Sequence, residues 1–509
     1  KTSTTVIVAV IDGGTDAYHP DLMVNMWVNT KEIPGNNIDD DNNGYIDDIN
    51  GWNFIGGKDG KNVGPDNLEL TRLYRLYKPK FDGKAKSQIA AEDMNNYLQY
   101  LEVKEEFEAE FNSVNATYKT YMEFLKSFDA LKEEMGSDKF SLNDLKDKEL
   151  KDTNSMLAKN ILLRTLPQGL GYSDIYKQIE GGIEQIKDKR DYQLNPEFDP
   201  RSIVGDNYAN QTEKNYGNNN VKGPDALHGT HVAGIIGAVR DNSYGMNGVA
   251  NNVRIMVVRV VPDGDERDKD VANGIRYAAD NGAKVINMSF GKAYSYNKKI
   301  VDDAVAYAES KDVLIIHAAG NDGQNNDKNG NFPNKNFENG TQAKNWVEVG
   351  ASNPDKSPAS FSNYGKKSVD VFAPGTDIYA TAPDSTFRWL QGTSMASPVV
   401  AGVATLIRSY YPMLTADEVK VIICSSVMKV KGKQPQPLSD VENAKIGEEY
   451  KKKSDAAAKK AAKKKSKTES KPAKIKVKTP KIKYKKLCKS GGIVNAEEAL
   501  ELAEKKSKS

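Results

Sequence analysis

Near its start the chain reads Val6-Ile7-Val8-Ala9-Val10-Ile11-Asp12-Gly13-Gly14, an apolar run that ends in an acidic, glycine-rich turn. An unbroken apolar run followed by a tight turn is typical of a strand buried on both faces. Similar runs recur at residues 253–258, 284–289, 313–318, 346–350 and 369–373, with helical patterns between several of them, as at 270–280 and 299–310. This alternation predicts an α/β fold in three layers, with a mostly parallel central sheet covered by helices on both faces.

Residues 66–200 interrupt the alternation and are predicted to form an inserted α-helical subdomain. Apolar residues recur there in steps of three and four, the period of one helix face. Shorter helical patterns follow at residues 154–166 and 172–188. We interpret the apolar stripe as a packing seam between helices rather than a ligand groove; it comprises Tyr100, Val103, Phe107, Phe111, Val114, Tyr118, Tyr121, Leu125, Phe128, Leu131 and Met135.

Charge is distributed unevenly along the chain, although its net value is only +2. Between Lys445 and Lys489 stand 19 lysines and four acidic residues, so this segment carries a net +15 and the rest of the chain −13. Residues 430–486 contain few large apolar side chains, which predicts a flexible insertion. The lysines could instead attach the protein peripherally to an anionic surface. The acidic remainder suits bound cations and basic substrates better than nucleic acid.

The two insertions leave residues 1–65, 201–429 and 487–509 as the predicted parts of the α/β domain, the last with a helical pattern at 496–504. No apolar run approaches the ~20 residues needed to cross a bilayer. The chain also shows no basic-then-apolar leader, which is typical of a mature or trimmed soluble form. The two cysteines, Cys424 and Cys488, are either free buried thiols or one disulfide.

Three polar residues stand at glycine-rich turns, in an arrangement typical of nucleophilic catalysis. Ser394 lies in Gly392-Thr393-Ser394-Met395-Ala396-Ser397-Pro398, and His228 opens His228-Gly229-Thr230-His231-Val232-Ala233-Gly234; each block leads into an apolar helical pattern. A serine needs a neighbouring base to become a nucleophile, and a histidine base needs a carboxylate such as Asp12 to orient it. Taken singly, Ser394 could be a helix cap, His228 a surface histidine and Asp12 a turn residue.

Taken together, in the order Asp, His, Ser, the three blocks resemble the signature of the subtilisin-like serine proteases (subtilases). The resemblance covers residues 5–21, 223–428 and 491–503 and is lost in both insertions. It implies a secreted-type serine endopeptidase that cleaves peptides or proteins through an acyl-enzyme intermediate. Asp12, His228 and Ser394 would form its catalytic triad, with His231 as a structural residue. It also implies a secreted, periplasmic or cell-surface location.

The same resemblance assigns an oxyanion donor. Ala319-Gly320-Asn321 matches the family's oxyanion sequence, so Asn321 is expected to stabilise the tetrahedral intermediate together with the backbone N–H of Ser394. An asparagine here, where kexin-like relatives carry aspartate, indicates the bacterial-type branch.

Substrate contacts follow from the resemblance as well. One edge of the cleft is expected at Ser289, Phe290 and Gly291 and the other at Val261, Asp263 and Gly264, with the substrate added as a strand between them. Asp263, Asp265, Glu266 and Asp322 would rim the cleft, which predicts tolerance of basic side chains near the scissile bond. Alternatively, these acids are solvated loop residues.

Two other functions compete with proteolysis. One is an inactive scaffold whose helical insertion binds a partner; it is disfavoured because the triad positions and Asn321 are all retained. The other is an esterase of the α/β-hydrolase type, which requires the order Ser, Asp, His, whereas this chain runs the opposite way.

A calcium loop is predicted in the acidic segment from Asp39 to Asp48. Oxygen donors alternate there and a glycine stands at the sixth position, as in the first half of a calcium loop. The expected ligands are Asp39, Asp41, Asn43 and Asp47. Asn50 stands where an EF-hand has its closing glutamate, so the loop is not an EF-hand, and an acidic turn without metal is the alternative.

Overall fold

The computed structural model describes residues 2–463 and 480–508. The chain forms two compact units, one of Pro65–Pro200 and one of Lys1–Gly64 together with Arg201–Ser509. Both cysteines are free, which decides between the two alternatives left open by the sequence. Among the described residues, none of the helices combines the length and the apolar character needed to span a bilayer.

The larger unit is built on a nine-stranded sheet in the order β10-β13-β7-β6-β5-β4-β1-β3-β2. All neighbouring strands are parallel except β10 and β13, which confirms the predicted mostly parallel sheet. The strands are β1 (Val6–Asp12), β2 (Gly51–Asn53), β3 (Val253–Arg259), β4 (Val285–Met288), β5 (Leu314–Ala318), β6 (Trp346–Ser352), β7 (Val371–Pro374), β10 (Met428–Lys429) and β13 (Gly492–Ile493).

Helices cover both faces of this sheet. Along β1, Val8 and Val10 point into one hydrophobic core while Ala9 and Ile11 point into another, because successive side chains of a strand alternate between faces. The first core also contains residues of α6 (Leu227–Gly237), α9 (Thr393–Tyr410), α10 (Ala416–Ser425) and α12 (Ala496–Lys506). The second contains residues of α7 (Asp268–Asp280) and α8 (Lys298–Ser310). The predicted three-layer α/β fold is therefore confirmed.

The smaller unit is helical. The predicted apolar stripe lies on α2, and its buried residues Phe128 and Leu131 pack with Leu162 and Tyr172 of neighbouring helices. The stripe is therefore a packing seam between helices, as predicted. The helices are α1 (Glu69–Phe81), α2 (Met94–Met135), α3 (Leu142–Asp147), α4 (Ser155–Thr165) and α5 (Tyr172–Asp188).

The sequence did not predict every element of the fold. A hairpin of β8 (Ile378–Ala382) and β9 (Thr386–Leu390) packs on α6, where Thr381 Oγ1 donates to the carbonyl of Thr230 at 2.7 Å. The Lys-rich insertion, predicted as flexible, contains the helix α11 (Asp440–Lys463). Alanine, lysine and glutamate favour helix without burial, so the lack of apolar residues did not imply a lack of structure. Its residues 464–479 lie outside the described part of the chain.

Candidate active site

Asp12 and His228 meet at the carboxyl edge of the sheet. Asp12 is the last residue of β1, is buried, and accepts a hydrogen bond from the backbone N–H of Gly13 at 2.7 Å. The Nδ1 atom of His228 lies 2.8 Å from Oδ1 and 3.0 Å from Oδ2 of Asp12. A carboxylate at Nδ1 holds the proton on that nitrogen, which leaves Nε2 free to act as a base.

A glycine allows the helix that carries His228 to approach β1 so closely. A Cβ atom on Gly229 would lie 2.2 Å from the carbonyl oxygen of Gly14, far inside van der Waals contact. Any other residue would push the start of α6 away from the turn after Asp12. The glycine after His228 therefore sets the distance between the carboxylate and the imidazole.

The pKa of His228 is raised above its ordinary value of 6.5. Burial by itself lowers this pKa, since it disfavours the charged ring, but the charge and hydrogen bond of Asp12 and the charge of Asp225 raise it and prevail. The side chain remains 44% exposed. A substrate can therefore reach the imidazole, and the protonated ring that forms when it takes a proton is stabilised.

Ser394 lies in the first turn of α9 and is bonded to Ser289, which follows β4. Its hydroxyl donates to the carbonyl of Ser289 at 3.0 Å, and its own carbonyl accepts from Ser289 Oγ at 2.9 Å. Ser289 in turn borders a cavity of about 310 Å³ that is also lined by Asp12 and His228. Ser394 is thus held beside the cavity that Asp12 and His228 line, and its hydroxyl is hydrogen-bonded to the backbone carbonyl of Ser289.

Asn321 presents its amide N–H groups near the backbone N–H of Ser394. Its Oδ1 accepts from the N–H of Thr393 at 2.9 Å and from Thr393 Oγ1 at 3.0 Å, which fixes the orientation of the amide. A Cβ atom built on Gly392 would lie 3.5 Å from Asn321 Nδ2 and 3.6 Å from Ser394 N. Two nitrogens that carry N–H groups therefore border the same small space, which is compatible with the predicted oxyanion site.

The expected substrate contacts fall into two groups. Val261, Asp263, Ser289 and Phe290 line the cavity of Asp12 and His228, whereas Gly264 and Gly291 are not among its lining residues. Asp322 lines a different cavity, next to Asn321. Glu266 was expected at the rim but is buried, and burial raises its pKa to about 8.

Comparison of the sequence with protein families shows to which family the chain belongs. Residues 3–458, most of the chain, match the family profile described as the subtilase family of peptidases. The chain belongs to the subtilase family. It is therefore a subtilisin-like serine endopeptidase, and the predicted family is confirmed.

The chain is also similar to individual proteases over part of its length. Thermitase from Thermoactinomyces vulgaris is 41% identical over 206 residues, which are 40% of this chain and 68% of that protein. The cell wall-associated protease of Bacillus subtilis is 42% identical over 221 residues, which are 43% of this chain but only 22% of that protein. A cold-adapted subtilisin-like serine proteinase of known structure is 33% identical, with 42% of this chain and 72% of that chain covered and a TM-score of 0.37.

Residues that the sequence did not single out position this subtilase site. Arg259, at the end of β3, is buried and donates to the carbonyls of Gly13 and Val63 at 2.7 and 2.6 Å, which fixes the turn after Asp12. Asn287 in β4 links Ser397 to Ser289, at 2.7 and 2.9 Å, and so ties the start of α9 to the sheet. Most of their partners, namely Gly13, Val63 and Ser397, are distant in sequence, so no local pattern marked Arg259 and Asn287.

His231, predicted to be structural, is buried on the same helix as His228. Its Nε2 lies 3.0 Å from the carbonyl oxygen of Arg388 in β9. Burial lowers its pKa, so the ring is neutral at pH 7 and donates to this carbonyl. His231 therefore anchors the β8–β9 hairpin on α6.

An alanine at Gly392 should abolish most activity of this subtilase while leaving it folded. The methyl group would occupy the space faced by Asn321 Nδ2 and Ser394 N, and the backbone φ of +152° at Gly392 disfavours other residues. We expect kcat to fall about 10²–10³-fold, the effect of losing an oxyanion donor, measured on a peptidyl anilide. Gly340→Ala is the matched control, because Gly340 also has a positive φ of +83° but nothing within 4 Å of a Cβ. Equal activity of the two variants would contradict the oxyanion assignment.

The acidic loop brings two of the predicted metal ligands, Asp39 and Asp41, close to Glu32, which was not predicted. Carboxylate oxygens of Asp39, Asp41 and Glu32 lie within 4.8 Å of one another. Asp47 instead accepts from the backbone N–H groups of Gly35 and Asn37, at 2.8 and 2.9 Å. Glu32 precedes the motif by several residues and was missed for that reason. Three carboxylates this close fit a hard, oxygen-preferring cation such as Ca²⁺.

Proposed function

We propose that the enzyme hydrolyses peptide bonds with Ser394 as the nucleophile, His228 as general base and acid, and Asp12 as the residue that orients His228. When substrate binds, the Ser394 hydroxyl turns from the Ser289 carbonyl to Nε2 of His228 and attacks the peptide carbonyl. The proton passes to Nε2 and then to the leaving amine as the C–N bond breaks. Water hydrolyses the acyl-enzyme by the same steps, with the proton returned to Ser394.

The hydrogen bond between Asp12 and His228 is the observation that carries this proposal. It joins residues 216 positions apart in the chain, at 2.8 Å, and it leaves only Nε2 of His228 to face the cavity. The amide of Asn321 and the backbone N–H of Ser394 supply the two donors for the oxyanion. An inactive scaffold would have no need of this combination.

A fluorophosphonate probe tests the assignment of Ser394 directly, because it labels only an activated serine. Wild-type protein should be labelled within minutes and Ser394→Ala not at all. Ser409→Ala, near the far end of the same helix with its hydroxyl bonded to the carbonyl of Leu406, is the matched control and should be labelled like wild type. Equal labelling of wild type and Ser394→Ala would show that another residue is the nucleophile.

For the acyl portion of the substrate we propose the cavity lined by Val261, Asp263, Ser289 and Phe290, with Gly264 and Gly291 supporting its two edges. A peptide strand between these edges would place its carbonyl at Ser394. We propose a secreted, periplasmic or cell-surface location, which the name of the cell wall-associated relative supports. The natural substrate would then lie outside the cytoplasmic membrane. The Lys-rich insertion would provide peripheral contact with an anionic surface.

Calcium is proposed as a structural ion bound by Glu32, Asp39 and Asp41, with Asn43 completing the oxygen set. Backbone N–H groups of Asn43 and Gly44 also donate to Asp39, at 3.0 and 2.8 Å. These bonds hold the loop in place, but they offset only part of the repulsion among three carboxylates. A divalent cation would remove the rest.

EDTA should therefore lower the melting temperature of the protein. A ligand that binds only the folded state, present at about 100 times its Kd, stabilises by about 2.7 kcal/mol. We expect a fall in Tm of about 5 °C, measured by differential scanning fluorimetry and reversed by added Ca²⁺. The variant Asp39→Asn/Asp41→Asn should lose this response, while Asp59→Asn, an exposed acid outside the cluster, should keep it. An unchanged wild-type Tm in EDTA would favour a metal-free acidic turn.

A further inference from the structure

A second cavity adjoins the reaction centre through Asn321. Its volume is about 320 Å³, and it shares no lining residue with the cavity of Asp12 and His228. Half of its wall belongs to the catalytic core and half to the Lys-rich insertion; the lining residues are Asn321, Asp322, Gln324, Ser360, Phe361, Leu438, Ser439, Asp440, Val441 and Asn443. Residues 435–443, which we call the insertion stem, thus stand beside the proposed oxyanion donor.

A neighbouring cavity extends this space along the stem. It measures about 380 Å³ and shares Ser360, Phe361, Leu438 and Asn443 with the cavity at Asn321. Its far end reaches Gln391, which directly precedes the Gly392–Ser394 turn. The stem therefore borders a continuous groove that starts at Asn321 and passes close to the nucleophile.

Hydrogen bonds fix the insertion stem in this position. Gln436 donates from Nε2 to the hydroxyl of the buried Tyr364 at 2.8 Å and from its backbone N–H to the carbonyl of Pro480 at 3.0 Å. The short strands β11 (Gln434–Pro435) and β12 (Lys481–Ile482) pair beside it. The carbonyl of Leu438 lies 2.4 Å from where a Cβ on Gly323 would be, so the stem packs directly on the loop after Asn321.

We infer that the insertion stem forms one wall of the site for the substrate residues that follow the scissile bond, and that Asp322 and Asp440 favour a basic side chain there. This inference rests on the proposed function. The two sides of the cleaved bond must lie on opposite sides of the nucleophile. If the acyl portion occupies the cavity of Asp12 and His228, the groove at Asn321 is available for the portion that departs with the amine. Asp322 and Asp440 are exposed carboxylates of this groove, and the described residues that line its two cavities include no lysine or arginine.

Quenched peptides that differ only in the two residues after the cleaved bond test the inference with the full chain. We expect kcat/KM to be about fivefold higher with Lys than with Glu at these positions, since exposed ion pairs are weak, and this ratio should shrink in 1 M NaCl. Asp440→Asn should lower the Lys-to-Glu ratio about two- to threefold, and Asp440→Lys should reverse the preference. Glu448→Gln, on the same helix but outside both cavities, is the matched control and should keep the wild-type ratio.

Hydrolysis of a peptidyl p-nitroanilide, which has no residue after the cleaved bond, separates this inference from the proposed function. If wild type neither cleaves the anilide nor reacts with the fluorophosphonate, the proposed function fails. Suppose instead that wild type does both. The assignment of the stem to the residues after the cleaved bond is then wrong if the Lys-to-Glu ratio is one. It is also wrong if this ratio is the same in wild type, Asp440→Asn and Asp440→Lys.

Discussion

Replacing His228 with alanine should lower kcat about 10⁶-fold with a much smaller change in KM. Without Nε2 no base takes the proton of Ser394, and the remaining rate comes from the oxyanion donors and substrate binding. The size of this loss is the one measured for subtilisin, a member of the same family. Steady-state kinetics on a peptidyl anilide provides the measurement, with active-site titration of the wild type as reference.

The matched control is His231→Gln, on the same helix. Glutamine can still donate to the carbonyl of Arg388, which His231 Nε2 contacts at 3.0 Å, so kcat should stay within about tenfold of wild type. Since residues of a triad act as a unit, adding Ser394→Ala to His228→Ala should cost little more. A comparable loss in both histidine variants would mean that His228 has only a structural role.

Asparagine at Asp12 should lower kcat about 10⁴-fold, the loss known for serine proteases with this arrangement. An amide can either donate to Nδ1 of His228 or accept from it, and it carries no charge, so it neither fixes the tautomer nor stabilises the imidazolium. The pH profile should change as well. His228 acts as a base only when neutral, so kcat/KM rises with pH through the pKa of His228, which lies above 6.5 in the wild type. Removal of the Asp12 charge lowers this pKa, so the rise should move to lower pH.

The variant Asp225→Asn separates the effect of a nearby negative charge on the pKa of His228 from the effect of a hydrogen bond that orients its ring. Asp225 also raises the pKa of His228 by its charge, but it makes no hydrogen bond to the ring among the described contacts. We expect the rise in kcat/KM to move slightly to lower pH while its plateau stays within about twofold of wild type. If Asp12→Asn left the position of the rise unchanged, the carboxylate would not be what sets the pKa of His228.

The fold could be predicted because its signals are local. Each buried strand of the sheet centre is an apolar run, and β1 and β5 carry their site residue at or just after the carboxyl end. Asp12 and Asn321 therefore reach one edge of the sheet by strand direction alone. The β8–β9 hairpin escaped prediction because β9 is largely exposed, with a burial pattern in which no residue is buried. An exposed strand lacks the apolar run on which the other predictions depended.

The residues of the candidate site likewise fall into those that a local pattern predicts and those that it does not. The proposed triad positions and Asn321 stand in short blocks with a recognisable order. Arg259 instead acts through distant partners, and Asn287 joins Ser289 to the distant Ser397. Glu32 lies outside the acidic motif that it joins. Arg259 reaches the carbonyl of Gly13, 246 positions away. Glu32 accepts from the N–H of Asp47, 15 positions away. Such contacts depend on which loops the sheet brings together, and strand order cannot be read from a single sequence.

The position of β1 in the sheet also bears on the order in which the chain can fold. This first strand lies between β3 and β4, so Val8 pairs with Ile255 on one side and Val285 on the other. A ribosome must therefore produce more than half of the chain before β1 has either neighbour, and Ser394 emerges later still. Strands so far apart in sequence pair slowly, because the long chain segment between them loses conformational entropy before any strand contact forms to compensate. We therefore expect Asp12, at the end of β1, to meet His228 late in folding, after the centre of the sheet has paired.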